Sequence, residues 1–226
     1  SVTGFGTTNI TGTVTNSATI SQAVNVAPTG KLNVAANIGN LSNSGNVIAN
    51  ANNLTGTITN DGNITLSGTL NKNINGSGTT KVDNNLTLGE GAAIAGTLNV
   101  NNATLNVTAI NMNNMFNNVS MNSSTLNLIN DSVNNLSANS FNLTGNVNLL
   151  LDADLANSSM DRLPASTTVT NGLINIKGIN LLSDAVNKNT YIPFAYDSFK
   201  NNVQTDITQI GKNTENIYQT TTHAPI

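Results

Sequence analysis

The sequence predicts an all-β chain built as a single elongated β-solenoid, and two observations support this fold class. First, a short phrase recurs in which Gly or Asn precedes a small polar residue, one aliphatic residue and then Thr or Asn, as at 12–16, 56–60 and 96–100. Each copy has the form of a short alternating strand behind a turn residue. Second, aliphatic residues are spread evenly along the chain, and no segment carries a helical period beyond a turn or two. Strands with one apolar edge form a continuous core only when they stack on copies of themselves.

From Ser1 to about Leu151 the pattern hardly changes. Aliphatic residues two positions apart, such as Leu98 and Val100, point to the same face of a strand, and the Thr and Asn between them are expected to face solvent. Gly, Asn-Gly and Asp-Gly, as at 61–62, 75–76 and 171–172, are interpreted as corners because these residues accept positive φ. Asn-Gly could equally close an antiparallel hairpin. Recurrence of the copies in one sense favours corners, and with them a right-handed parallel β-helix.

Two further patterns refine the solenoid prediction. Ile58, Ile64 and Leu70 recur every six residues, which would also suit a triangular left-handed coil, although the period fades after Leu70. About a fifth of the chain is asparagine. Asn tolerates left-handed backbone at corners, and stacked Asn side chains can form hydrogen-bonded ladders between successive coils.

The composition shifts after Leu151. Seven charged residues lie in the first 150 positions and twelve in the last 76, and four of the eight aromatic residues fall between positions 191 and 199. A rod needs an end that covers its core and its strand edges. We therefore expect a parallel β-helix stalk over 1–185 and a capping segment of the same domain over 186–226. The structural cap is assigned to Tyr191, Phe194, Tyr196 and Phe199. These aromatic residues could alternatively form a ligand-stacking platform.

Composition also limits the possible partners and the cellular location. Charged residues make up 8% of the chain and the net charge is -3, so electrostatic attraction of nucleic acid is not expected. No apolar run is long enough to span a membrane as a helix. Cysteine is absent, which is typical of many exported bacterial surface proteins. We expect an extracellular location, at the bacterial surface or released. Because the pattern is already under way at Ser1, we expect an internal or processed segment of a longer precursor.

Residues that carry chemistry are scarce. The one histidine, His223, is expected to be a solvated tail residue, and without cysteine or a histidine cluster we expect no metal site, no cofactor and no triad. Asp152 and Asp154 lie two apart, so both carboxylates would project from one face of a strand, and Asp161 follows shortly. Such a group could serve glycoside hydrolysis or hold Ca²⁺. A solvated turn or a salt-linked end region is the simpler interpretation, because few basic residues are available.

Two stretches of the chain resemble a known family. Residues 157–163, Asn-Ser-Ser-Met-Asp-Arg-Leu, and residues 172–184, Gly-Leu-Ile-Asn-Ile-Lys-Gly-Ile-Asn-Leu-Leu-Ser-Asp, are similar to the distal β-helix region of bacterial autotransporter (type V secretion) passenger domains. The resemblance is weak along most of the chain and good over the part that contains these two stretches. It implies a right-handed parallel β-helix exported across the outer membrane. The Gly-Asp-Ser-Gly protease motif of some passengers is absent, so that activity does not carry over.

These observations predict a non-enzymatic protein. The expected role is that of an extracellular structural or adhesive passenger segment of an autotransporter-like adhesin. Its partner would be a host or neighbouring-cell surface, or further copies of the chain that associate through solenoid ends and edges. Two alternatives stay open, namely a subunit of a self-assembling surface filament or layer, and a polysaccharide-acting β-helix enzyme that uses Asp152, Asp154 and Asp161.

Overall fold

A computed structural model describes residues 1–186 and 190–211, with the backbone alone for 206–211. The predicted fold class is confirmed, because the chain is an all-β solenoid of about eight turns with 53% of its residues in strands. His223 and the end of the expected cap lie outside the described residues. The described strands are β1 (Thr7–Ile10), β2 (Thr13–Asn16), β3 (Ala23–Val26), β4 (Lys31–Val34), β5 (Leu41–Asn43), β6 (Asn46–Asn50), β7 (Ile58–Asn60), β8 (Asn63–Leu70), β9 (Asn73–Asn75), β10 (Thr79–Val82), β11 (Asn85–Leu88), β12 (Ala93–Asn101), β13 (Thr104–Val107), β14 (Phe116–Asn122), β15 (Thr125–Asn127), β16 (Ser140–Thr144), β17 (Val147–Asp154), β18 (Ser159–Met160), β19 (Thr167–Thr170), β20 (Ile174–Ser183) and β21 (Val203–Gly211).

The strands stack in parallel on three faces of the solenoid. Face A consists of β1, β3, β5, β7, β9, the start of β12 and Phe116 at the start of β14. Face B consists of β2, β4, β6, the first half of β8, β10, the second half of β12, β14, β16 and β19. Face C consists of the second half of β8, β11, β13, β15, β17, β20 and β21. In the first coils this face is formed by isolated parallel bridges that link Val2, Ile20, Ile38 and Leu54. Among the named strands, antiparallel pairing is confined to β17 with β18.

One coil passes once through the three faces. Ile58, Ile64 and Leu70 lie on faces A, B and C of a single coil, and all three are buried. Their regular spacing in the sequence therefore measures the distance from one face to the next. It does not extend along the chain, because the segments that join the faces differ from coil to coil.

The coil grows along the chain. Near the start, Thr7 pairs with Ala23 one coil later. Near the end of the described chain, Ile174 at the start of β20 pairs with Val203 at the start of β21. The second pair is separated by a much longer piece of sequence than the first. In the coil that leads from β17 to β20, the additional residues include the short β17–β18 hairpin.

The core is a thin column of aliphatic side chains. Val14, Leu32, Val47, Ile64 and Leu98 occupy equivalent positions on face B, and all but the half-buried Val14 are buried. Between Ile64 and Leu98 the same level is occupied by Thr80, which is also buried. In the longer coils, Val119 and Phe141 occupy the position that is equivalent to Leu98, and both are buried. Strand alternation turns the intervening residues outward, which is the arrangement predicted from the sequence.

A column of glycines lines the corner before face B. A Cβ added at Gly45, Gly62, Gly78 or Gly96 would lie 2.4, 2.3, 2.4 or 2.1 Å from the carbonyl oxygen of the preceding glycine of the column, which begins at Gly30. None of these glycines has the positive φ expected of corner residues, so positive φ does not explain why glycine occurs at these positions. They are required because adjacent coils approach too closely for a side chain. The expected positive φ does occur elsewhere, as at Gly76 and Asn171.

Asparagine takes over this corner in the longer coils. Asn117 and Asn139 follow Gly96 in the column, and Asn139 Nδ2 donates to Asn117 Oδ1 at 2.5 Å. Asn117 Nδ2 in turn donates to the Ala95 carbonyl at 2.8 Å. The Asn139 N–H also donates to the Asn117 carbonyl at 2.8 Å, so in the longer coils a side-chain ladder is added to the backbone contact.

Buried asparagines form a second ladder, inside the short coils. Asn43 and Asn60 are each 1% exposed, and Asn43 Nδ2 donates to Asn60 Oδ1 at 2.7 Å and to the Asn63 carbonyl at 2.9 Å. Asn60 Nδ2 continues to the Thr79 carbonyl at 3.1 Å. The prediction of Asn ladders is therefore confirmed. Asn43 and Asn60 follow Leu41 and Ile58 by two positions and so share their inward face, where the two amides supply partners for corner backbone groups.

The predicted cap residues lie between β20 and β21. Phe199 is 1% exposed, and the Phe194 and Tyr196 rings meet it edge-on at centroid distances of 6.0 and 6.1 Å. Tyr191 is 44% exposed. After this segment, β21 adds a further parallel strand to β20, beyond the boundary at residue 185. The capping role and that boundary stay predictions.

Candidate functional site

The loop after β15 and the hairpin after β17 place two aspartates in the interior. Asp152 lies near the end of β17, and Asp161 follows β18, which folds back antiparallel on β17. Both residues are 0% exposed. The expected solvated turn is therefore wrong for this pair.

Asp152 and Asp161 are linked through the backbone. The Asp161 N–H donates to the Asp152 carbonyl at 2.9 Å, and the Asp152 N–H donates to Asp161 Oδ2 at 2.7 Å. Asp161 Oδ1 accepts the Asn134 N–H at 2.7 Å. The Asp161 carboxyl thereby joins the hairpin to the loop at 128–139, because it accepts one donor from each.

Asp152 holds the same loop through more donors. Its Oδ2 accepts the Asn130 N–H at 2.7 Å and the Ser132 N–H at 3.3 Å. Its Oδ1 accepts Asn180 Nδ2 at 2.5 Å, and that amide nitrogen also reaches Asp131 Oδ1 at 3.2 Å. Asp152 therefore accepts two backbone N–H groups of the loop and one side-chain amide of β20.

Asp154 does not join this pair, although the sequence analysis placed its carboxylate on the same face as that of Asp152. The pairing of β17 with β20 shifts register between Ala153 and Asp154. The Asp154 carboxylate accepts hydrogen bonds from Ser183 Oγ and from Asn157. The hydrogen bond from Ser183, and to a smaller extent that from Asn157, lowers the pKa of Asp154 below its ordinary value.

The electrostatics separate Asp161 from an ordinary surface carboxyl. Burial raises the pKa of Asp161 to about 7, and the nearby Asp152 charge adds to the rise, while the Asp152 and Asn134 N–H donors oppose it. Arg162 stands beside this residue in sequence, but its guanidinium lies 4.5 Å from the Tyr196 ring centroid and its buried Nε has no hydrogen-bond partner. The only arginine of the chain is thus directed to an aromatic ring.

The arrangement gives Asp152 and Asp161 a clear chemical role, that of acceptors for backbone N–H groups at a fold junction. Sequence reasoning selected both aspartates but missed their partners Asn130, Asn134 and Asn180. A polar Asn180 within the otherwise apolar run at 179–182 was the available signal. In the part of the chain that the structure describes, no group of three or more His, Cys, Asp or Glu side chains could hold a metal ion.

A second region of interest is the outward side of face B from the second half of β12 through β14, β16 and β19, which we call the polar face. Its side chains are all Asn, Ser or Thr: Thr97, Asn99, Asn101, Asn118, Ser120, Asn122, Ser140, Asn142, Thr144, Thr168 and Thr170. Hydrogen bonds connect neighbouring coils, from Asn122 to Asn101 at 2.9 Å, from Ser140 to Asn118 at 2.9 Å and from Thr168 to Asn142 at 2.7 Å. One depression elsewhere on the solenoid is lined mainly by polar residues, among them Asp83, Asn102 and Ser123.

Comparison with known proteins does not assign the chain to a family. No family, curated protein or solved structure matches the chain. Among the described residues, no helix has the length and apolar character needed to cross a membrane.

Proposed function

We propose that the chain is a non-enzymatic structural and adhesive segment of an extracellular surface protein. The polar face carries this proposal. It is uncharged, it extends over four stacked strands, and its side chains are aligned by hydrogen bonds between coils. Side chains that are already ordered lose less conformational entropy when a partner binds. A long uncharged surface of this kind suits many weak contacts with another surface.

The use of the aspartates supports the same conclusion. A carboxylate that acts on a polysaccharide must reach the scissile bond from a site open to substrate. Asp152 and Asp161 are fully buried and accept backbone N–H groups. We therefore prefer the adhesive role to the enzymatic alternative. The resemblance of 157–163 and 172–184 to autotransporter passengers supports assignment to a passenger segment at the bacterial surface.

Attachment of beads coated with the purified chain to bacterial and epithelial cells tests this role. A triple variant, Asn99→Lys, Ser120→Lys and Asn142→Lys, introduces charge into the polar face without touching the core. We expect attachment to fall about tenfold, equivalent to about 1.4 kcal/mol. The matched control places three lysines on face A, at Thr7, Asn25 and Ser42, and should leave attachment unchanged. Circular dichroism verifies that both variants fold.

The same preparation distinguishes the alternatives. Equal attachment by the wild type and the triple variant would contradict a role for the polar face. Clumping of coated beads without any cells would support the self-assembling filament or layer. Release of sugars from a glycan panel, lost in Asp154→Ala, would support the enzyme.

A further inference from the structure

The corner between faces B and C lengthens twice along the solenoid. Between the parts of β8 that pair with β10 and with β11 lie two residues, 66–67, whereas the next coil has four residues, 82–85, between the paired positions. One coil later the corner lengthens again, from the two residues 83–84 between β10 and β11 to the three residues 101–103 between the positions that pair with those strands. Residues added at a corner have no counterpart in the preceding coil on which to stack.

A depression lies at each of these two steps. The first is lined by the ends of β4 and β6, the middle of β8, and Asp83 and Asn84. The second is lined by Asp83 and Asn84 again, together with Asn85 and the corners at 102–104 and 123–125. Because Asp83 and Asn84 line both depressions, the two form one continuous feature, which we call the corner groove. The two volumes, about 250 and 210 Å³, together fall within the range of about 300–1,000 Å³ that is typical of ligand sites.

The corner groove follows the axis of the solenoid. Its lining comes from six successive coils, which contribute among others Asn33, Ile48, Thr65, Asp83, Asn102 and Ser123. Neighbouring strands lie about 4.8 Å apart, so the groove extends over roughly 24 Å. A ligand that fills it must therefore be extended, with several similar units in a row.

The side chains between the two depressions are exposed and lack hydrogen bonds. Among the described residues, none bonds to the side chains of Asp83, Asn84 or Asn85. On the adjoining faces, by contrast, asparagines bond from coil to coil, as Asn122 does to Asn101 at 2.9 Å. The carboxylate and the two amides in the groove are therefore free to bond to a ligand.

The lining indicates the chemical class of the ligand. Asp83 is the only charged residue in the described lining, and the polar residues around it are Asn, Ser and Thr, whose side chains both donate and accept. An acidic polymer would meet a carboxylate and no cation there. In the first depression, Ile48 is 60% exposed and adds an apolar surface. Hydroxyl groups on the edge of a ring and C–H groups on its face, as in a neutral sugar, match both kinds of lining.

We propose that the corner groove binds an extended neutral oligosaccharide, which lies along the solenoid axis and crosses Asp83 and Asn84 between the two depressions. Asp83 accepts sugar hydroxyls, Asn84 and Asn85 donate and accept, and Ile48 contacts a ring face. Glycoside hydrolysis generally requires a pair of carboxyls, and this lining contains one, so the site serves binding without cleavage. The corner groove contains none of the side chains that define the polar face, so each can bind a partner without the other.

Amide ¹H–¹⁵N NMR spectra of the full chain test the site directly. The probes are neutral hexasaccharides of glucose, mannose, xylose and N-acetylglucosamine, with hexagalacturonic acid as the acidic comparison. We expect at least one neutral probe to shift the amide resonances of Asn84, Asn102 and Ser123, and the acidic probe to bind about tenfold more weakly because Asp83 repels it. If no neutral probe shifts these resonances, or if the acidic probe binds equally well, the proposal is wrong.

A pair of double variants measures the contribution of the residues between the depressions. Asp83→Ala with Asn84→Ala should raise the Kd of the bound probe about tenfold, because a carboxylate and an amide are lost. The control, Asp197→Ala with Asn201→Ala, removes the same two groups from exposed positions outside the groove and should leave the Kd unchanged. The spectra verify that both variants fold. Equal Kd values for the two variants, or recovery of the probe in shortened form, would contradict a binding site of this kind.

Discussion

The short coils and the long coils of the solenoid solve the same packing problem in different ways. In the short coils, the corner before face B is closed by glycines whose backbones lie in contact, with the added Cβ of Gly62 only 2.3 Å from the Gly45 carbonyl oxygen. In the long coils, Asn117 and Asn139 occupy that corner and bond to each other. Paired strands also lie much closer in sequence at the start of the chain, as β1 and β3 do, than at the end, as β20 and β21 do.

The difference shows what a longer coil requires. A short coil bonds its strand backbone to the neighbouring coils, and the buried amides of Asn43 and Asn60 supply the remaining partners at one corner. The extra residues of a longer coil form loops, and loop amides inside a structure need other acceptors. Asp152 and Asp161 supply such acceptors for the loop at 130–134. The long coils should therefore depend on the carboxyls that hold their loops, and the short coils on the glycine corner and the buried asparagine ladder.

The largest effect is expected in the long coils, at Phe199. Its side chain is 1% exposed and two aromatic rings pack against it, so Phe199→Ala should reduce the free energy of unfolding by about 3–5 kcal/mol. Urea denaturation measures the loss. Leu98→Ala, in a uniform coil, is the comparison and should cost about 2–5 kcal/mol. A loss below about 1 kcal/mol at Phe199 would contradict the capping role and reopen the ligand-platform alternative.

The next effect sharpens the account of the short coils. Gly62→Ala forces a methyl group against the Gly45 carbonyl and should cost about 3 kcal/mol, since two backbones must separate. Gly12→Ala is the matched control, because an added Cβ there meets nothing within 4 Å. Urea denaturation of both variants measures the difference. Equal stability of the two variants would show that close approach of the coils does not explain the glycine column.

A smaller loss is expected for the buried ladder. Asn60→Ala removes the acceptor of Asn43 Nδ2 and the donor to the Thr79 carbonyl, so two buried polar groups lose a partner. The free energy of unfolding should fall by about 1–3 kcal/mol. Asn25→Ala is the control, because Asn25 donates to Asn9 at 3.0 Å on the exposed surface. If Asn25→Ala destabilises the protein as much as Asn60→Ala does, burial is not what gives the ladder its strength.

The smallest effect concerns the contact between Arg162 and Tyr196. Arg162→Met keeps the apolar stem and removes the cation, and should reduce stability by about 1 kcal/mol. A double-mutant cycle with Tyr196→Leu isolates the pair. A coupling free energy of zero would show that the ring and the guanidinium are neighbours without attraction.

The repeated phrase was sufficient to predict the solenoid, because the side-chain period and the turn residues both recur along the chain. It also placed the core, since residues such as Leu98 and Val100 are buried as expected. The role of the glycines could not be derived in the same way. A glycine before a strand is compatible both with positive φ and with close backbone approach, and only the stacking of coils distinguishes the two.

The pairing of Asp152 with Asp161 could not be predicted from the local sequence, for a different reason. Asp152 and Asp154 share a strand, which favoured pairing them, but the fold pairs Asp152 with Asp161 through the β17–β18 hairpin. The loop amides that complete the junction lie far from both aspartates in sequence, at 130, 132 and 134. Contacts between these loop amides and the aspartates leave no periodic pattern in the sequence, because the loops differ from coil to coil.

The pairing pattern of the strands has a consequence for how the chain acquires its structure. Nearly every strand pairs with the strand one coil earlier and the strand one coil later, as β6 does with β4 and β8, and the described sheet contains no pairing between distant ends of the chain. Closing each such loop carries a modest entropic cost that is repeated with little change at every step. Structure can therefore grow from any formed coil by adding one neighbour at a time, as a zipper closes, before the rest of the chain is present.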